Sequence, residues 1–387
     1  MSTANPRAPR VVIVAGEASG DQLGAALMAA LRAALPGVQF AGIPGPLMKA
    51  AGCEAWVDAE QLAVMGLFEV IPHLPRLLRI RRELIARVIA DPPDVYIGVD
   101  FKEFNLSVAR RLKAARIRTV QYVSPQVWAW REKRVHGIGA ACDLLLCLLP
   151  FEPPFYARFG VRAQFVGHPL ADEIPLDVDR AAARAQLGLA PGVPVAALLP
   201  GSRAGEVARL GADFIAAARE LARLTPGIQF IAPMATAKVR SLFEQAGAAA
   251  AGIRLVAGQS RTVLQAADVA LVASGTASLE ALLCRCPMVV AYRLGGLTAW
   301  LLRTLRMVRL PYFSLPNLLA GEALVPEFFQ QEVTGPALAA ALQTQLNDTA
   351  QRARLLQRFR AIHESLRQDG AARAAAAVAA LVNEPRP

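Results

Sequence analysis

One segment of the sequence has the residue types that bind a phosphate group. Residues 195–206 read Val-Ala-Ala-Leu-Leu-Pro-Gly-Ser-Arg-Ala-Gly-Glu, which predicts a buried strand, a small polar loop and a helix. Gly201 and Gly205 let the backbone approach an anion, and the first amides of the helix point to the same place. Arg203 adds a planar, permanent charge that suits a diphosphate. An ordinary turn with a solvated arginine fits equally well, because the spacing matches neither G-x-G-x-x-G nor GK[ST].

A second segment of the same kind lies further along the chain. Residues 271–281 read Leu-Val-Ala-Ser-Gly-Thr-Ala-Ser-Leu-Glu-Ala, again a strand, a small polar turn and a helix start. Ser274, Gly275 and Thr276 would supply hydrogen-bond donors at a helix N-terminus, and Glu280 could accept from the two hydroxyls of a ribose. The alternative is an ordinary N-cap by Ser274 or Thr276, with Glu280 facing solvent. Taken together, the two segments describe a site for a nucleoside-diphosphate sugar.

Two loops in the first half of the chain carry candidate acidic side chains. Asp100 ends the apolar run that begins at Val95, and the carboxyl end of a parallel strand is where open α/β sheets bind ligands. Asp100 could serve as a general base, or it could cap a helix or pair with Lys102. The loop after the first strand carries Glu17, Ser19 and Asp21. Its acids would repel phosphate, so the loop receives sugar hydroxyls or caps its own helix through Ser19 and Asp21.

Several single residues are weaker candidates. Gln259 follows a strand and could reach a base or phosphate, while Asn317 lies in an irregular loop, where a turn-forming role is equally plausible. Trp128 and Trp130 could pack over a ligand or anchor their loop. His168 has no second histidine or carboxylate at ligand spacing, so a hinge role is favoured over metal binding.

Short apolar strands alternate with helical patterns along all 387 residues, which predicts an α/β architecture. A chain of this length that is 54% hydrophobic can bury two cores. A polar, proline-containing linker near 167–179 separates them. We therefore expect domains at 1–170 and 171–345, with terminal helices over 346–387.

Charge and cysteine usage limit the partners and the compartment. There are 42 basic and 31 acidic residues, a net charge of +11, which favours anionic partners. Aromatic residues are sparse and not interleaved with the basic runs, which argues against nucleic acid. The five cysteines lack a C-x-x-C pair and predict reduced core thiols. Without a signal-like region or an apolar run of about 18 residues, a cytoplasmic protein is expected.

Residues 64–87 are apolar and basic at once. Leu74, Leu77 and Leu78 have helical spacing, and nearby arginines are opposed only by Glu83. Such a segment suits an anionic membrane surface, or a substrate with acyl chains and a phosphate. A core helix with a solvated arginine face is the alternative.

One highly specific motif is the Ser-Pro-x-Val-Trp-Ala-Trp run within 122–131. Six further segments are Gly16-Glu-Ala-Ser-Gly-Asp21, Val64-Met-Gly66, Leu199-Pro-Gly-Ser-Arg203, Ala273-Ser-Gly-Thr-Ala-Ser-Leu-Glu280, Cys286-Pro-Met-Val-Val290 and Ser314-Leu-Pro-Asn-Leu-Leu-Ala320. With these segments in this order, the chain from about Val11 to Leu366 resembles lipid-A-disaccharide synthase. One departure follows Asp100, where the family commonly has Pro-Asp-Phe-Asn and this chain has Lys102-Glu-Phe-Asn105. The departure puts any role for Glu103 in doubt.

The resemblance implies a glycosyltransferase with two Rossmann-like domains facing across a cleft (the GT-B type). The C-terminal domain would hold the nucleotide, and the last helices would cross back to the N-terminal domain. It implies UDP-2,3-diacylglucosamine as donor and 2,3-diacylglucosamine 1-phosphate as acceptor, giving a β-1,6-linked disaccharide phosphate and UDP. It also implies a domain-swapped homodimer. The acyl chains would account for the apolar, basic segment, and peripheral contact with the inner membrane is expected.

Inversion at the anomeric carbon requires one base and a stabilised leaving diphosphate. We assign the base to Asp100 and expect Glu280 to hold the ribose. No metal or other cofactor is expected if protein donors carry the charge. Arg203 and the backbone at Gly201, Ser202, Ser274, Gly275 and Thr276 would stabilise the diphosphate. Gln259, Asn317, Glu17 and Ser19 are further candidate substrate contacts. A UDP-sugar 2-epimerase and a non-catalytic UDP-sugar sensor at the membrane surface are the alternative functions.

Overall fold

The predicted strands form two parallel sheets, one in each of two units. The structure is a computed structural model and describes residues 8–62, 70–129, 132–295 and 311–385. Unit 1 comprises Met1–Asp172 and Leu366–Pro387, and unit 2 comprises Glu173–Ser365. The later boundary lies between Ser365 and Leu366, whereas the sequence predicts it after residue 345.

The sheet of unit 1 has seven strands among the described residues, in the order β3-β2-β1-β4-β5-β6-β7, and every pairing is parallel. β1 forms because Val11–Val14 is an unbroken apolar run that can be buried on both faces. The order reverses between β1 and β4, and this switch point is where ligands bind in open α/β sheets. The strands are β1 (Arg10–Ala15), β2 (Gln39–Ile43), β3 (Glu54–Ala55), β4 (Val95–Val99), β5 (Thr119–Tyr122), β6 (Leu144–Cys147) and β7 (Ala163–Phe165).

Helices cover both faces of this sheet, and the last helix of the chain is one of them. Asp172 fixes the start of that helix, since its carboxylate accepts from the amides of Gln368, Asp369 and Gly370 at 2.7–3.0 Å. The return of the C-terminal helix to the N-terminal unit is thus confirmed. The helices of unit 1 are α1 (Ala18–Ala34), α2 (Pro46–Ala50), α3 (Val70–Ala90), α4 (Lys102–Ala114), α5 (Val135–Gly139), α6 (Glu152–Ala157), α7 (Pro169–Glu173, which ends at the boundary) and α16 (Gly370–Asn383).

Unit 2 repeats this plan with six parallel strands in the order β10-β9-β8-β11-β12-β13. Its switch point lies between β8 and β11. The strands are β8 (Val195–Leu199), β9 (Gln229–Met234), β10 (Ile253–Ala257), β11 (Val269–Ala273), β12 (Met288–Tyr292) and β13 (Glu327–Phe329). The helices are α8 (Arg180–Gln186), α9 (Ala204–Leu224), α10 (Ala237–Gln245), α11 (Ser260–Ala266), α12 (Thr276–Leu283), α13 (Leu315–Ala320), α14 (Gly335–Asn347) and α15 (Thr349–Leu366).

The helix α15 explains where unit 2 ends. Its Arg352 lies 3.7 Å from Asp268, and its Arg358 donates to Glu322 at 2.7 Å. These contacts place α15 on unit 2, although its sequence predicts part of a terminal helical segment.

All five cysteines are buried and free. Burial raises the pKa of Cys53 and of Cys142 to about 12, so both thiols stay protonated at neutral pH. The prediction of reduced core thiols agrees with this placement. Among the described helices, none combines the length and the apolar character needed to cross a bilayer.

Candidate functional site

The two candidate phosphate loops of unit 2 leave adjacent strands at the switch point. Leu199 pairs with Val272, so the loops that follow β8 and β11 emerge side by side at the carboxyl edge of the sheet. The structure thus brings together the Gly-Ser-Arg loop and the Ser-Gly-Thr turn. This is the edge at which a parallel sheet presents helix N-termini to a ligand.

The first loop is closed by its own carboxylate. Glu206 Oε2 accepts from the amides of Ser202 and Arg203 at 3.0 and 3.3 Å. Gly201 has φ +131°, and a Cβ there would lie 2.4 Å from the Glu206 Cβ. The expected role of these amides as a phosphate cradle is therefore not available in this arrangement, because Glu206 occupies them. Gly201 makes room for Glu206.

Arg203 is the part of this loop that remains free to meet an anion. Its side chain is 86% exposed, and its nearest acid is Glu206, whose Oε1 lies 3.8 Å from the Arg203 guanidinium. An exposed pair at this distance contributes little to stability. The guanidinium can therefore reorient toward a ligand at small cost.

The second loop is open. Gly275 occupies the N-cap position with φ +148° and ψ −157°, and in the described part of the chain no side chain caps α12. Ser274 donates instead to the Phe313 carbonyl at 3.2 Å, and Ser278 donates to the Gly275 carbonyl at 2.8 Å. The alternative of an N-cap by Ser274 or Thr276 is wrong. The first amides of α12 are left for an anion.

Glu280 is held beside this loop rather than pointing alone into solvent. Its carboxylate accepts from Ser260 Oγ at 3.4 Å and lies 3.5 Å from Arg261 Nε. Arg261 also pairs with Glu173 at 2.8 Å. Gln259, which is exposed, directly precedes Ser260. The structure therefore places Gln259, at the start of α11, close to Glu280 on α12. Arg261 is a further contact of Glu280 that the sequence does not single out.

In unit 1, Asp100 and Glu17 emerge together at the switch point. Ala15 pairs with Val99, so the loops after β1 and β4 are neighbours. Asp100 is 26% exposed and lies 3.7 Å from Lys102 Nζ. The ion pair that the sequence offered as an alternative is present. It leaves the Asp100 carboxylate partly open at the edge of the sheet.

The loop after β1 does not cap its own helix. Glu17 occupies the N-cap position of α1 without a side-chain hydrogen bond, and Ser19 is exposed in the first turn. Asp21 is buried and accepts from the amides of Leu47 and Met48 at 2.8 and 3.0 Å. Capping of α1 by Ser19 and Asp21 is therefore wrong, because Asp21 stabilises the start of α2. Glu17 and Ser19 remain exposed near Asp100.

Asn317 has a structural role instead of the expected ligand contact. Its side chain is buried, and its Nδ2 donates to the Val325 carbonyl and to Glu327, each at 2.9 Å. Its Oδ1 accepts from the amides of Leu324 and Val325 at 2.9 and 2.8 Å. The amide has no free donor, and it fixes the chain around α13.

Glu152 organises the loop that contains the Ser-Pro-x-Val-Trp run. This buried carboxylate accepts from Ser124 Oγ at 2.5 Å, Trp128 Nε1 at 3.2 Å and the Leu149 amide at 3.0 Å. Burial raises the pKa of Glu152. Trp128 is therefore anchored through its indole, while Trp130 and Arg131 lie outside the described residues. The sequence does not indicate this role of Glu152, because its partners Ser124 and Trp128 lie 28 and 24 residues away.

The helix α3 has two apolar faces. Ile80, Leu84 and Val88 are buried in unit 1, whereas Leu74 and Leu78 are 46% and 44% exposed. The three leucines at helical spacing therefore do not form one buried stripe: Leu77 is partly buried against unit 1, whereas Leu74 and Leu78 are exposed. Residues 63–69, the first part of the apolar, basic segment, lie outside the described residues.

His168 lies near the end of the N-terminal segment of unit 1 and contacts Leu366, where the C-terminal segment of that unit begins. Its amide donates to the Leu366 carbonyl at 2.9 Å, and its Nδ1 accepts from the Leu170 amide at 3.2 Å. Burial lowers the pKa of His168 to about 4. The described residues contain no group of three or more histidine, cysteine or acidic side chains that could hold a metal ion.

The family described as lipid-A-disaccharide synthetase matches residues 11–381. Lipid-A-disaccharide synthase of Xylella fastidiosa strain M12 is 49% identical over 382 residues, covering 98% of this chain and 99% of that protein. The enzyme of the same name from Pseudomonas entomophila is 52% identical over 375 residues, covering 97% and 98%. These similarities extend over nearly the whole length of each protein.

Solved structures share the fold at low identity. The glycotransferase of kitacinnamycin is 18% identical with a TM-score of 0.64, covering 97% of this chain and 100% of that one. UDP-GlcNAc 2-epimerase from Neisseria meningitidis, bound to UDP-GlcNAc, is 11% identical with a TM-score of 0.63, covering 89% and 94%. The two-unit α/β architecture is therefore that of GT-B glycosyltransferases and of the epimerase named as an alternative.

Proposed function

We infer the details of the reaction from one premise: this chain belongs to the lipid-A-disaccharide synthase family. It is a glycosyltransferase of lipid A disaccharide synthesis, and the epimerase and sensor alternatives are not favoured. We propose UDP-2,3-diacylglucosamine as donor and 2,3-diacylglucosamine 1-phosphate as acceptor. The products would be UDP and the β-1,6-linked disaccharide 1-phosphate.

The observation that carries the donor side of this proposal is the open N-terminus of α12 beside the exposed Arg203. The diphosphate of the donor would accept from the first amides of α12, with Gly275 giving the backbone access. As the bond from the anomeric carbon to the diphosphate breaks, the electron pair stays on UDP. Arg203 would move onto this growing charge and stabilise it more in the transition state than in the ground state.

Glu280 would fix the nucleoside part of the donor. A carboxylate held by Ser260 and Arg261 can accept from both ribose hydroxyls while its own position stays fixed. Gln259, one residue before Ser260, would contact the base or a phosphate. Glu17 and Ser19 are proposed as acceptor-sugar contacts because both are exposed near the switch point of unit 1.

Asp100 is proposed as the general base. Its carboxylate would take the proton from the attacking hydroxyl of the acceptor while that oxygen bonds to the anomeric carbon from the side opposite the diphosphate. This single displacement inverts the configuration. Lys102 Nζ lies 3.7 Å from this carboxylate and is the cation that faces it in the described part of the chain.

We propose that no metal ion takes part, because Arg203 and the α12 amides supply the positive field. The experiment that tests the reaction is acceptor-dependent UDP release with and without a chelator. Purified protein should release UDP and form the disaccharide phosphate only when both substrates are present, at an unchanged rate in EDTA. Loss of activity in EDTA that magnesium restores would refute the metal-free mechanism, and UDP release without disaccharide would refute the transferase.

We further propose that α3 contacts an anionic membrane surface, because the acylated substrates of the enzyme would reside in the membrane. Leu74 and Leu78 would insert between headgroups while the exposed arginines of this helix meet lipid phosphates. The double change Leu74→Ser with Leu78→Ser should lower binding to vesicles that contain phosphatidylglycerol. Leu224→Ser, an exposed leucine of unit 2, should leave binding unchanged; equal effects of both changes would contradict a role for α3.

A homodimer is the proposed assembly, and light scattering of the purified chain measures it. A mass twice that of the monomer is expected, and a monomer at micromolar concentration would contradict the assignment.

A further inference from the structure

The backbone that carries Asp100 is held in a conformation that it would not adopt alone. Asp100 and Phe101 have φ of +47° and +37°, two consecutive non-glycine residues in the left-handed region. Such residues are strained and persist only where the surroundings fix them. Gly16 is part of these surroundings, since a Cβ there would lie 2.4 Å from the Phe101 ring.

Two buried side-chain amides fix this turn through the Asp100 carbonyl. Asn105 Nδ2 donates to the Asp100 carbonyl at 3.0 Å, and Gln121 Nε2 donates to the same oxygen at 2.9 Å. Asn105 is 0% exposed and Gln121 is 1% exposed. One carbonyl oxygen therefore uses both of its lone pairs on amides that solvent does not reach.

The position of the Asn105 amide is itself fixed. Its Oδ1 accepts from the Tyr96 hydroxyl at 2.9 Å, and its Nδ2 also lies 3.4 Å from the Val14 carbonyl of β1. A Cβ at Gly98 would lie 2.6 Å from the Asn105 Cβ, so the strand leaves space for this side chain. Asn105 thus connects the turn to both strands that border the switch point.

Neither amide touches the Asp100 carboxylate. The Asp100 amide donates to the Tyr122 carbonyl at 2.8 Å, so both backbone polar groups of Asp100 are anchored. Only the side-chain torsions remain free, and the carboxylate can lie only where the fixed backbone directs it. Catalysis by proton transfer depends on this placement, because a base must lie within hydrogen-bond distance of its proton.

We infer that Asn105 and Gln121 are positioning residues for the general base, acting through the Asp100 backbone. The inference rests on the proposed role of Asp100. A purely structural role would lower stability whether or not Asp100 can act as a base. A positioning role would lower turnover only while the base is present.

The test is a double-mutant cycle between Gln121→Met and Asp100→Asn, with kcat for UDP release as the readout. Methionine keeps the length of the side chain and removes the donor. Gln121→Met alone should lower kcat about 10-fold or more, with the Kd for UDP unchanged. In the Asp100→Asn protein, assayed at high enzyme concentration, the same change should alter kcat by less than about twofold.

Thr119→Val is the matched control on the same strand. Thr119 is buried, and its Oγ1 donates to the Ala141 carbonyl at 2.9 Å at the opposite end of β5. This change removes a buried hydrogen bond and should lower the Tm without lowering kcat. Asn105→Asp, which replaces the donor by an acceptor facing three carbonyls, should repeat the effect of Gln121→Met on kcat.

The measured kcat values distinguish failure of the positioning role from failure of Asp100 as the base. An undiminished kcat in Gln121→Met, or an equal fall in the Asp100→Asn protein, would overturn the positioning role and leave the base intact. Wild-type kcat in Asp100→Asn itself would overturn the base and the inference together.

Discussion

The switch points of the two units present their candidate functional groups in different ways. In unit 1 the functional loop is held by buried side chains, Asn105 and Gln121, which fix a strained backbone around one carboxylate. In unit 2 the corresponding loops offer an open helix N-terminus and the exposed Arg203. A base must be placed accurately, whereas a mobile cation can follow the charge that develops on a leaving group. We therefore expect a change at Gln121 to lower stability and activity together, and Arg203→Ala to lower activity alone.

Arg203→Ala should give the largest effect among the changes in unit 2. We expect kcat to fall about 30- to 1,000-fold, which corresponds to roughly 2–4 kcal/mol of lost transition-state stabilisation, because the leaving diphosphate loses its cation. The Tm should not change, since the side chain is exposed. Arg223→Ala, an exposed arginine at the far end of α9, is the control and should keep full activity. A near-normal kcat in Arg203→Ala would contradict the proposal that Arg203 stabilises the leaving diphosphate.

The buried polar groups of unit 1 should make it sensitive to acid. The pKa of His168 is lowered by burial to about 4 from 6.5, so between these values the unfolded chain binds a proton that the folded chain does not. Stability is therefore lost as the pH falls from 6.5 toward 4, by roughly 3 kcal/mol at most. His168→Asn, which keeps an acceptor for the Leu170 amide, should show a smaller drop in Tm between pH 7.5 and 4.5. Equal drops would contradict the assignment.

Gly275→Ala tests the open N-terminus of α12. The φ and ψ of Gly275 lie in a region that only glycine occupies readily, so alanine adds roughly 1–3 kcal/mol of strain. We expect the turn to relax and UDP to bind about 10-fold more weakly by calorimetry. Gly252→Ala, at the amino end of β10 where nothing lies within 4 Å, is the matched change and should leave UDP binding unaltered. Equal affinity in both variants would contradict a diphosphate on α12.

Glu206→Ala should have the smallest effect and would sharpen the contrast between the two helices of unit 2. Loss of this cap should cost about 1 kcal/mol of stability. If the diphosphate binds α12 alone, removing one nearby negative charge should strengthen UDP binding by less than about fivefold. Glu220→Ala, on the same helix, should not change UDP binding. A much larger gain in Glu206→Ala would mean that α9 also receives the diphosphate once its amides are freed.

Much of the fold follows from the apolar runs. Val11–Val14 and Val195–Leu199 are long enough to be buried on both faces, so their positions and the loops after them could be predicted. The strands Glu54–Ala55 and Glu327–Phe329 could not, since they are short and not fully buried. The later unit boundary depends on contacts of α15 with residues far away in the sequence, such as Asp268 and Glu322, and a local pattern does not predict such contacts.

The site was predictable as a set of loops but not as a set of contacts. Strand-turn-helix patterns located Asp100, Arg203 and Gly275, because parallel strands end at one edge of a sheet. The partners of Asn317 lie where the chain folds back over residues 324–327, and the sequence does not predict this fold-back. Glu206 contacts the amides three and four residues before it, a local capping pattern that competes with the predicted phosphate cradle. Gln121 carried a signal, since a polar residue inside the buried strand Thr119–Tyr122 breaks the apolar pattern.

In the proposed mechanism, unit 1 supplies the base and unit 2 holds the donor. Turnover and UDP affinity of Asp100→Asn, measured on the same preparation, test it most directly. We predict that kcat falls by about 100- to 10,000-fold, as expected for loss of a general base, while the Kd for UDP stays within twofold of wild type. Unchanged turnover, or a loss of UDP binding that matches the loss of turnover, would contradict this division of roles.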